Sequence, residues 1–344
     1  MKYNFETIRP RMDCNSFKWN EMKPYLTEED QDIIPFSVAD MEFEMAPEIL
    51  EGIRSYLDRY VLGYANPTEE FWNSVIRWMK ERHNWDVERE WMLNTAGIVN
   101  AFYLAVNVFT RPGDGVLLMT PCYYPMYHAV TRNGRVIVDN PMIHCGDHYE
   151  IDFSDLEQKA KNEKTKLMIL CSPHNPTGRV FTREELERVG RICIDNGVMI
   201  CDDEIHNDLT MPGYRHTVFA AISEEFARHS MICTAPSKTF NLAGLQTAAV
   251  MVPDAVLRHK LERGLNTDEV AEPNAFAVGG AVAAFNRGEG WLEELRVYLA
   301  GNKRQVRSFM EERLPEIKVV PSQATYLLWL DCSGITEDAG ELTR

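Results

Sequence analysis

The amino-acid sequence predicts an α/β fold in which the strands of a parallel sheet alternate with helices. Three short apolar runs, at residues 167–171, 198–201 and 231–233, have the length and character of buried strands. A polar stretch follows each run, and a helical segment separates the first two runs. This alternation is typical of a parallel sheet, whose ligands bind beyond the carboxyl ends of the strands.

The size and composition of the chain restrict the classes of protein to which it can belong. Its 344 residues suffice for a large core and two domains. A formal net charge of −16 argues against nucleic acids and anionic membranes as partners. Eight cysteines without a CxxC pair suit a reducing cytosol, so we expect a cytoplasmic protein. The start of the chain lacks the apolar segment of a signal peptide, and the longest apolar stretch, near residues 101–109, is too short to span a bilayer.

Two helices are predicted in the first quarter of the chain. The first spans residues 47–60, with Pro47 at an early position and apolar residues at helical spacing at Ile49, Ile53 and Leu57. Gly63 and Tyr64 follow, and from the residues alone they indicate a turn glycine and a packed tyrosine. The second helix spans residues 69–83 and is amphipathic, with an apolar side formed by Phe71, Val75, Trp78 and Met79.

A helix that suits an anionic ligand comes next. Gly97 directly precedes a helix predicted at residues 98–109. The first N–H groups of a helix have no backbone partner and carry a partial positive charge, which favours a phosphate. A glycine at this position also permits close approach of the ligand to the backbone. A strand is predicted at residues 116–120, and Tyr123 follows it as a loop aromatic.

Further helices separate and follow the central strands. One spans residues 155–161, and another begins with the capping-box pattern of Thr182 and Glu185. The second of these continues to Asn196, where Gly197 suits the end of a helix. Towards the end of the chain, helices are predicted at residues 254–263 and 291–313, and a strand is predicted at residues 326–331.

Polar residues at three strand ends can converge on one ligand. Asn175 follows the first apolar run, the adjacent acids Asp202 and Asp203 follow the second, and Lys238 follows the third. A lysine on a tight turn in a dry pocket can lose its proton and form a Schiff base with an aldehyde. The alternative for Lys238 is a solvated surface charge, as for most lysines. The stretch before Lys238 lacks the glycine loop of a nucleotide-binding P-loop, which excludes that class.

Five sequence phrases, taken in order, carry a resemblance to a known family. They are VADMEF at 38–43, GY at 63–64, HNPTG at 174–178, DEIH at 203–206 and SKTFNLAG at 237–244, with a framework that extends to YLLW at 326–329. On these phrases the chain resembles the fold-type I pyridoxal 5′-phosphate (PLP) enzymes of the aminotransferase class I/II superfamily. Within it, the resemblance is closest to the PatB/MalY-type carbon–sulfur β-lyases, also called cystathionine β-lyase-like.

The resemblance implies a division of the chain into domains. The α/β fold is then of fold type I, with a mostly parallel large-domain sheet sandwiched by helices and a smaller α+β domain. Residues 1–48 are expected to form an N-terminal arm and part of the small domain, residues 49–286 the PLP-binding large domain, and residues 287–344 the C-terminal part of the small domain. Family members continue further, so we expect this last part to be truncated. The arginine that grips the substrate carboxylate lies in that further stretch of the family, and no residue here, Arg344 included, matches it.

The resemblance also assigns contacts to the PLP ring. Lys238 is expected to hold PLP as a Schiff base and then to act as the general base. Asp203 is expected to keep the ring nitrogen protonated, and Tyr123 to stack on the ring. Asn175 and His206 are expected near the phenolic oxygen. Alternatives from the residues alone stay open: Tyr123 as a packed loop aromatic and His206 as a strand-end histidine.

A second group of residues is implied for the phosphate. Gly97, Ile98 and Ser237 are expected to bind it, together with the partner subunit's Tyr64 across a dimer interface. Many aminotransferases have a phosphate-binding arginine eight residues after the lysine, whereas Gln246 stands there in this chain. The segment around Asp40 is implied to line the substrate mouth; from the residues alone, Asp40 is as well interpreted as a cap of the helix at 47–60.

The implied reaction is α,β-elimination of cystathionine or another S-substituted L-cysteine to a thiol, pyruvate and ammonia. The implied assembly is a homodimer with shared active sites, and no metal site is predicted. Tyr64 and Tyr123 are both candidates for protonating the leaving sulfur. Three alternatives stay open: an aminotransferase with the same cofactor and lysine, a regulatory or catalytically weak PLP-binding protein, and an inactive remnant of an enzyme.

Overall fold

The computed structural model describes residues 1–9, 11–12, 14–26, 34–267 and 272–342. Arg344 lies outside these residues. The strands, numbered along the chain, are β1 (Met92–Thr95), β2 (Gly115–Thr120), β3 (Val136–Pro141), β4 (Ile143–His144), β5 (Tyr149–Glu150), β6 (Thr165–Cys171), β7 (Met199–Asp203), β8 (Ser230–Thr234), β9 (Ala248–Met251), β10 (Lys318–Val319) and β11 (Leu330–Asp331).

Seven of these strands form one sheet in the order β1-β9-β8-β7-β6-β2-β3. Neighbouring strands from β3 across to β8 run parallel, and β9 runs antiparallel to both β8 and β1. The predicted α/β class with a mostly parallel sheet is therefore confirmed. The predicted strands at 116–120, 167–171, 198–201 and 231–233 correspond to β2, β6, β7 and β8, each with slightly different bounds.

The helices cover both faces of the sheet and connect its strands. They are α1 (Phe17–Met22), α2 (Pro47–Arg59), α3 (Glu69–His83), α4 (Ile98–Phe109), α5 (Tyr124–Arg132), α6 (Phe153–Ala160), α7 (Arg183–Asp195), α8 (Glu224–Arg228), α9 (Pro236–Thr239), α10 (Ala255–Thr267), α11 (Ala275–Arg287), α12 (Glu289–Arg313) and α13 (Ala339–Leu342). The capping box of Thr182 and Glu185 is present at the start of α7, and Gly197 follows its end with a φ of 67°. The helices without a counterpart among the sequence predictions are α1, α5, α8, α9, α11 and α13.

Side chains on the strands alternate between two hydrophobic cores. On β6, Leu167 and Ile169 belong to a core shared with α4, α5 and α10. Met168 and Leu170, one residue further along in each case, belong to a second core shared with α3, α6, α7 and α12. Both faces of the sheet are thus buried, which explains why its strands have nearly continuous apolar sequences.

Three interpretations of the sequence are wrong. Tyr64, which from the residues alone indicates a packed tyrosine, is fully exposed. Asp40 does not cap α2, because Ala46 occupies the cap position and Asp40 forms ion pairs of 2.8 Å with Arg11 and Lys18. The strand predicted at 326–331 is limited to β11, which pairs antiparallel with β10. The pairing extends no further because its partner β10 has only two residues, Lys318 and Val319.

The N-terminal arm packs against α12. The backbone N–H groups of Lys2 and Tyr3 donate to the Glu294 carboxylate at 2.8 and 2.9 Å, and Phe5 packs against Trp291. The division of the chain at residues 48 and 286 stays a prediction. Among the described residues, no helix combines the length and the apolar character that crossing a membrane requires.

Candidate active site

A cavity of about 260 Å³ lies at the carboxyl ends of β6, β7 and β8, beside the first turn of α4. Strand ends and a helix N-terminus therefore meet at one place, as expected for an open parallel sheet. The cavity is lined by Ala39, Ala96, Gly97, Ile98, Val99, Phe102, Tyr123, Cys171, Asn175, Asp203, Ile205, His206, Ser237, Lys238, Ala243 and Gln246.

The structure brings eight of the nine predicted site residues together in this cavity. They are Gly97, Ile98, Tyr123, Asn175, Asp203, His206, Ser237 and Lys238. Tyr64 lies elsewhere: it is fully exposed and lines a larger cavity of about 610 Å³ bordered by α2 and α11. Cys171 and Ile205 line the site without having been assigned to it, because small and apolar residues carry no chemical signal in a sequence. Ala39 lies in the segment around Asp40 that the resemblance places at the substrate mouth.

Lys238 is the amine of the cavity. It lies in the single-turn helix α9, directly after β8, and not on an open turn. Its Nζ donates a hydrogen bond to the Ala39 carbonyl at 2.7 Å. Burial lowers the pKa of Lys238 below its ordinary value, although the carboxylates of Asp40 and Asp203 oppose this effect. A larger fraction of Lys238 is therefore the neutral, nucleophilic amine than for a surface lysine.

The segment that carries Ala39 closes one side of the cavity. The Tyr326 hydroxyl also donates to the Ala39 carbonyl, at 2.6 Å, so that one backbone oxygen accepts hydrogen bonds from two side chains. The Asn241 side chain fixes the segment next to it by accepting from the Met41 N–H at 2.9 Å and donating to the Met41 carbonyl at 2.8 Å. The expectation that residues near Asp40 lie at the mouth of the site agrees with this placement of Ala39.

Asp203 supplies a buried carboxyl group at the end of β7. It lies two residues after Cys201 and hence faces the same side of the sheet, towards α4. Its carboxylate accepts one hydrogen bond, from the Ile205 N–H at 3.1 Å. Burial raises the pKa of Asp203 to about 7, even though that hydrogen bond and the Lys238 charge favour ionisation. The site therefore offers an acid whose charged form a bound cation would stabilise.

Asp202 faces the opposite side of the sheet. It is completely buried, and burial together with the neighbouring Glu204 raises its pKa well above the ordinary value. Asp202 is therefore a neutral acid inside the second core. Of the two adjacent acids, Asp203 alone lines the cavity.

The buried Asp203 makes the stability of the ligand-free protein depend on pH. Its pKa of about 7 in the folded state exceeds the ordinary 3.8, so the folded state binds more protons than the unfolded state and stability falls between these pH values as pH rises. The cost is on the order of a few kcal/mol above pH 7. Asp203→Asn removes this cost. Its melting temperature relative to that of the wild-type protein is expected to rise from about pH 5 to about pH 8, as measured by thermal denaturation without cofactor. A difference that does not change with pH would contradict the burial of an ionisable Asp203.

His206 is a neutral, buried imidazole at the cavity wall. Burial lowers its pKa to about 3, and the nearby Lys238 and Lys303 charges contribute. Its Nδ1 is buried, and none of the described residues supplies a hydrogen-bond partner for it. The Tyr326 ring packs edge-on against the imidazole, with 6.3 Å between ring centroids. A buried polar atom without a partner indicates a place for a ligand atom.

The N-terminus of α4 forms the other end of the cavity. Gly97 precedes α4 with a φ of 93°, a conformation that favours glycine. A Cβ atom added at Gly97 would meet no atom within 4 Å, so the space above this residue is open. Ile98, Val99 and Ser237 line the same space, and Ser237 carries a hydroxyl group. Unpaired N–H groups of the first helical turn beside an open space suit a phosphate or another anion.

Tyr123, Asn175 and Gln246 complete the lining. Burial raises the pKa of Tyr123 to about 12, so its hydroxyl stays protonated. Gln246 has a φ of 49° and lies at the exposed edge of the cavity, where it contributes no charge.

Comparison with known proteins identifies the family. The model of the aminotransferase class I and II family matches residues 31–342, and the chain belongs to this family. The cystathionine β-lyase PatB of Bacillus subtilis is 40% identical over 341 residues, which cover 99% of this chain and 88% of that protein. The predicted family is therefore confirmed.

Solved structures of similar proteins have the same fold. Cystalysin from Treponema denticola, which contains a PLP cofactor, is 38% identical with a TM-score of 0.96, over 99% of this chain and 87% of its own. The PLP-bound C-S lyase from Staphylococcus hominis is 34% identical with a TM-score of 0.89, over 96% of this chain and 82% of its own.

Proposed function

We propose that this chain is a PLP-dependent carbon–sulfur β-lyase that acts on S-substituted L-cysteines such as cystathionine. The observation that carries the proposal is the occurrence of Lys238 and Asp203 in one cavity of an aminotransferase class I and II fold. The lysine has a lowered pKa and the carboxyl is buried beside a space large enough for a ligand. The similarity to a cystathionine β-lyase and to PLP-bound C-S lyases supports the choice of reaction.

The residues of the cavity fit PLP. The open space above Gly97 at the start of α4 suits the phosphate, with Ser237 beside it. The buried Asp203 carboxyl suits a protonated ring nitrogen, because the cation removes the penalty of burying a charge alone. The unpaired Nδ1 of His206 suits a polar oxygen of the ring. Lys238 would hold the aldehyde carbon, and Tyr123 and Asn175 would line the ring.

Side chains of the cavity carry out the proton transfers of the elimination. When bound, PLP supplies an electron-withdrawing ring that makes the Cα–H of an attached amino acid acidic. Lys238 takes that proton, since its lowered pKa leaves it able to act as a base. The C–S bond then breaks, and the sulfur leaves with its electron pair and receives a proton. Addition of one water to the three-carbon remainder gives pyruvate and ammonia.

Two tyrosines are candidates for the proton donor to the leaving sulfur. Tyr123 lines the cavity and remains protonated because burial raises its pKa to about 12. Tyr64 lies outside the cavity of its own chain, so it qualifies only if a second subunit brings it there.

The experiment that tests the function is the release of pyruvate from cystathionine in the absence of any keto acid. We expect stoichiometric pyruvate, ammonia and homocysteine from PLP-loaded protein. An aminotransferase gives product only when a keto acid is supplied. A binding protein gives neither product but shows a spectral change when cystathionine is added. Either of these outcomes rejects the lyase proposal and identifies the class that replaces it.

We also propose that the enzyme is a homodimer with shared active sites. The segment after α2 exposes Tyr60, Val61, Leu62 and Tyr64, each more than half accessible. Four consecutive or near-consecutive exposed apolar side chains are typical of a surface that another subunit covers. The proposed shared site requires a second copy seated there to bring the partner's Tyr64 to the phosphate end of a neighbouring cavity.

Mixing two inactive variants is expected to restore part of the activity. A Lys238→Ala subunit paired with a Tyr64→Ala subunit forms one site that carries both changes and one site that carries neither. Random exchange at equal concentrations then gives about a quarter of the wild-type activity. The measurement is pyruvate release after subunit exchange is verified by mass spectrometry. Absence of recovery in verified mixed dimers would reject the shared site.

The division at residues 48 and 286 and the cytoplasmic location complete the proposal. The buried residues Cys171, Cys193, Cys201 and Cys233 form no disulfide in the described part of the chain. Buried thiols of this kind suit a reducing compartment.

A further inference from the structure

A buried carboxylate lies directly behind the lysine-bearing helix α9. Asp208, on the loop that follows β7, is 2% exposed. It accepts hydrogen bonds from the Thr239 hydroxyl at 2.9 Å, the His83 Nε2 at 2.9 Å and the Trp78 Nε1 at 3.1 Å. It also pairs with the Arg82 Nε at 2.8 Å. One carboxylate thus joins α3, the loop after β7 and α9.

Two of the joined segments carry site residues. Thr239 directly follows Lys238 in α9, and it is completely buried. Asp208 lies two residues after His206, and the Leu209 N–H donates to the His206 carbonyl at 3.0 Å. Asp208 is therefore connected to the segments that carry both the amine and the imidazole of the cavity.

We propose that Asp208 is a positioning residue for the reaction, which sets the place of Lys238 through the Thr239 hydroxyl. The inference rests on the proposed function, because Lys238 must be the residue that reacts. Thr239 is the link that acts on α9, since its hydroxyl is the contact of that helix with the Asp208 carboxylate.

The energetics of the cluster suit a fixed support. Burial opposes ionisation of Asp208, but hydrogen bonding and charge from His83, the charge of Arg82 and the hydrogen bond from Thr239 lower its pKa overall. Asp208 is therefore an anion with a full set of donors. A buried anion with several donors resists displacement, because moving it would leave a charge without partners. Arg82 is itself held by Glu293 on α12 at 2.7 Å.

The position of the amine matters more to the reaction than to folding. A displacement of about 1 Å in a reacting group can lower the rate on the order of 10²-fold. Loss of a buried hydrogen bond lowers stability both beside the cavity and far from it, and more so where the acceptor is charged. The two roles can thus be separated by comparing Thr239 with a buried threonine far from the cavity.

The matched control is Thr165, at the opposite end of β6. It is 1% exposed, and its hydroxyl donates to the Lys159 carbonyl at 2.9 Å. Thr165→Val and Thr239→Val each remove the hydrogen bond of a buried threonine. Thr165 does not line the cavity, whereas Thr239 directly follows Lys238. Both changes keep the β-branched shape of the side chain.

The experiment compares PLP-loaded wild-type protein with Thr239→Val, Thr239→Ser and Thr165→Val. We expect Thr239→Val to lower kcat at least about tenfold with a KM within about threefold, and to shift the pH midpoint of the cofactor's visible band. Thr239→Ser retains the hydroxyl and should restore both. Thr165→Val should lower the melting temperature but leave kcat and the pH midpoint as in the wild-type protein.

Equal behaviour of Thr239→Val and Thr165→Val, with lowered melting temperatures and unchanged kcat and pH midpoint, would overturn the inference. Where Thr239→Val does not fold, Asp208→Asn is measured with the same readouts and is expected to lower kcat in the same way. Failure of the proposed function looks different, because wild-type protein would then show no visible band with PLP or no pyruvate release.

Discussion

Replacing Lys238 with alanine is expected to abolish pyruvate release while the fold and non-covalent PLP binding survive. The substitution removes both the amine that holds the aldehyde and the base that takes the Cα proton, so the rate should fall by about 10³-fold or more. The fold should persist because, among the described residues, the Lys238 amine has a single hydrogen bond, to the Ala39 carbonyl. The measurement is turnover of cystathionine together with borohydride reduction, which should label the wild-type protein and leave the variant unlabelled.

The control for this prediction is Lys303, a partly buried lysine whose charge acts on His206 of the cavity. Burial lowers the pKa of Lys303 to about 7, so its amine is as well suited chemically as that of Lys238. Lys303 does not line the cavity, however, and its amine donates to Ser322 and to the Ala324 carbonyl. Lys303→Met should therefore keep the borohydride label at Lys238. Recovery of the label on Lys303 in the wild-type protein, by peptide mapping, would show that Lys238 is the wrong residue.

Local signals in the sequence account for most of the correctly predicted elements. The capping box of Thr182 and Glu185 involves side chains three residues apart, so it is visible without tertiary information. The apolar runs of β6, β7 and β8 are visible because both faces of the sheet are buried. Once these strands are parallel neighbours, the polar residues after them must meet at one edge, which is why the cavity residues could be predicted together.

The features of the site that could not be predicted from the sequence depend on contacts between residues far apart in the chain. Ala39 enters the site through its backbone carbonyl, and every residue has one, so its identity gives no signal. Tyr326 reaches the same carbonyl from 287 residues away, and it directly follows Thr325, whose φ of 65° is left-handed. Asp208 belongs to no recognisable motif, and its role follows only from the three segments that it joins.

The adjacent acids Asp202 and Asp203 allow a test of the cofactor site, because the structure places only one of them in the cavity. Asp203 lines the cavity, whereas Asp202 is buried in the second core and is neutral because burial and Glu204 raise its pKa. Asp202→Asn replaces a neutral acid with a neutral amide of the same shape, and should change kcat/KM little. Asp203→Asn removes the negative charge that would keep the ring nitrogen of PLP protonated.

Asp203→Asn is therefore expected to lower kcat/KM far more than Asp202→Asn. A charge-assisted hydrogen bond contributes about 1.5–3 kcal/mol, which corresponds to a loss of at least about tenfold. The loss should appear in kcat, because the electron-withdrawing power of the ring acts on the Cα proton and not on substrate binding. Steady-state pyruvate release at saturating PLP measures it for both variants. Equal losses in the two variants, or a loss confined to KM, would mean that Asp203 does not contact the ring nitrogen.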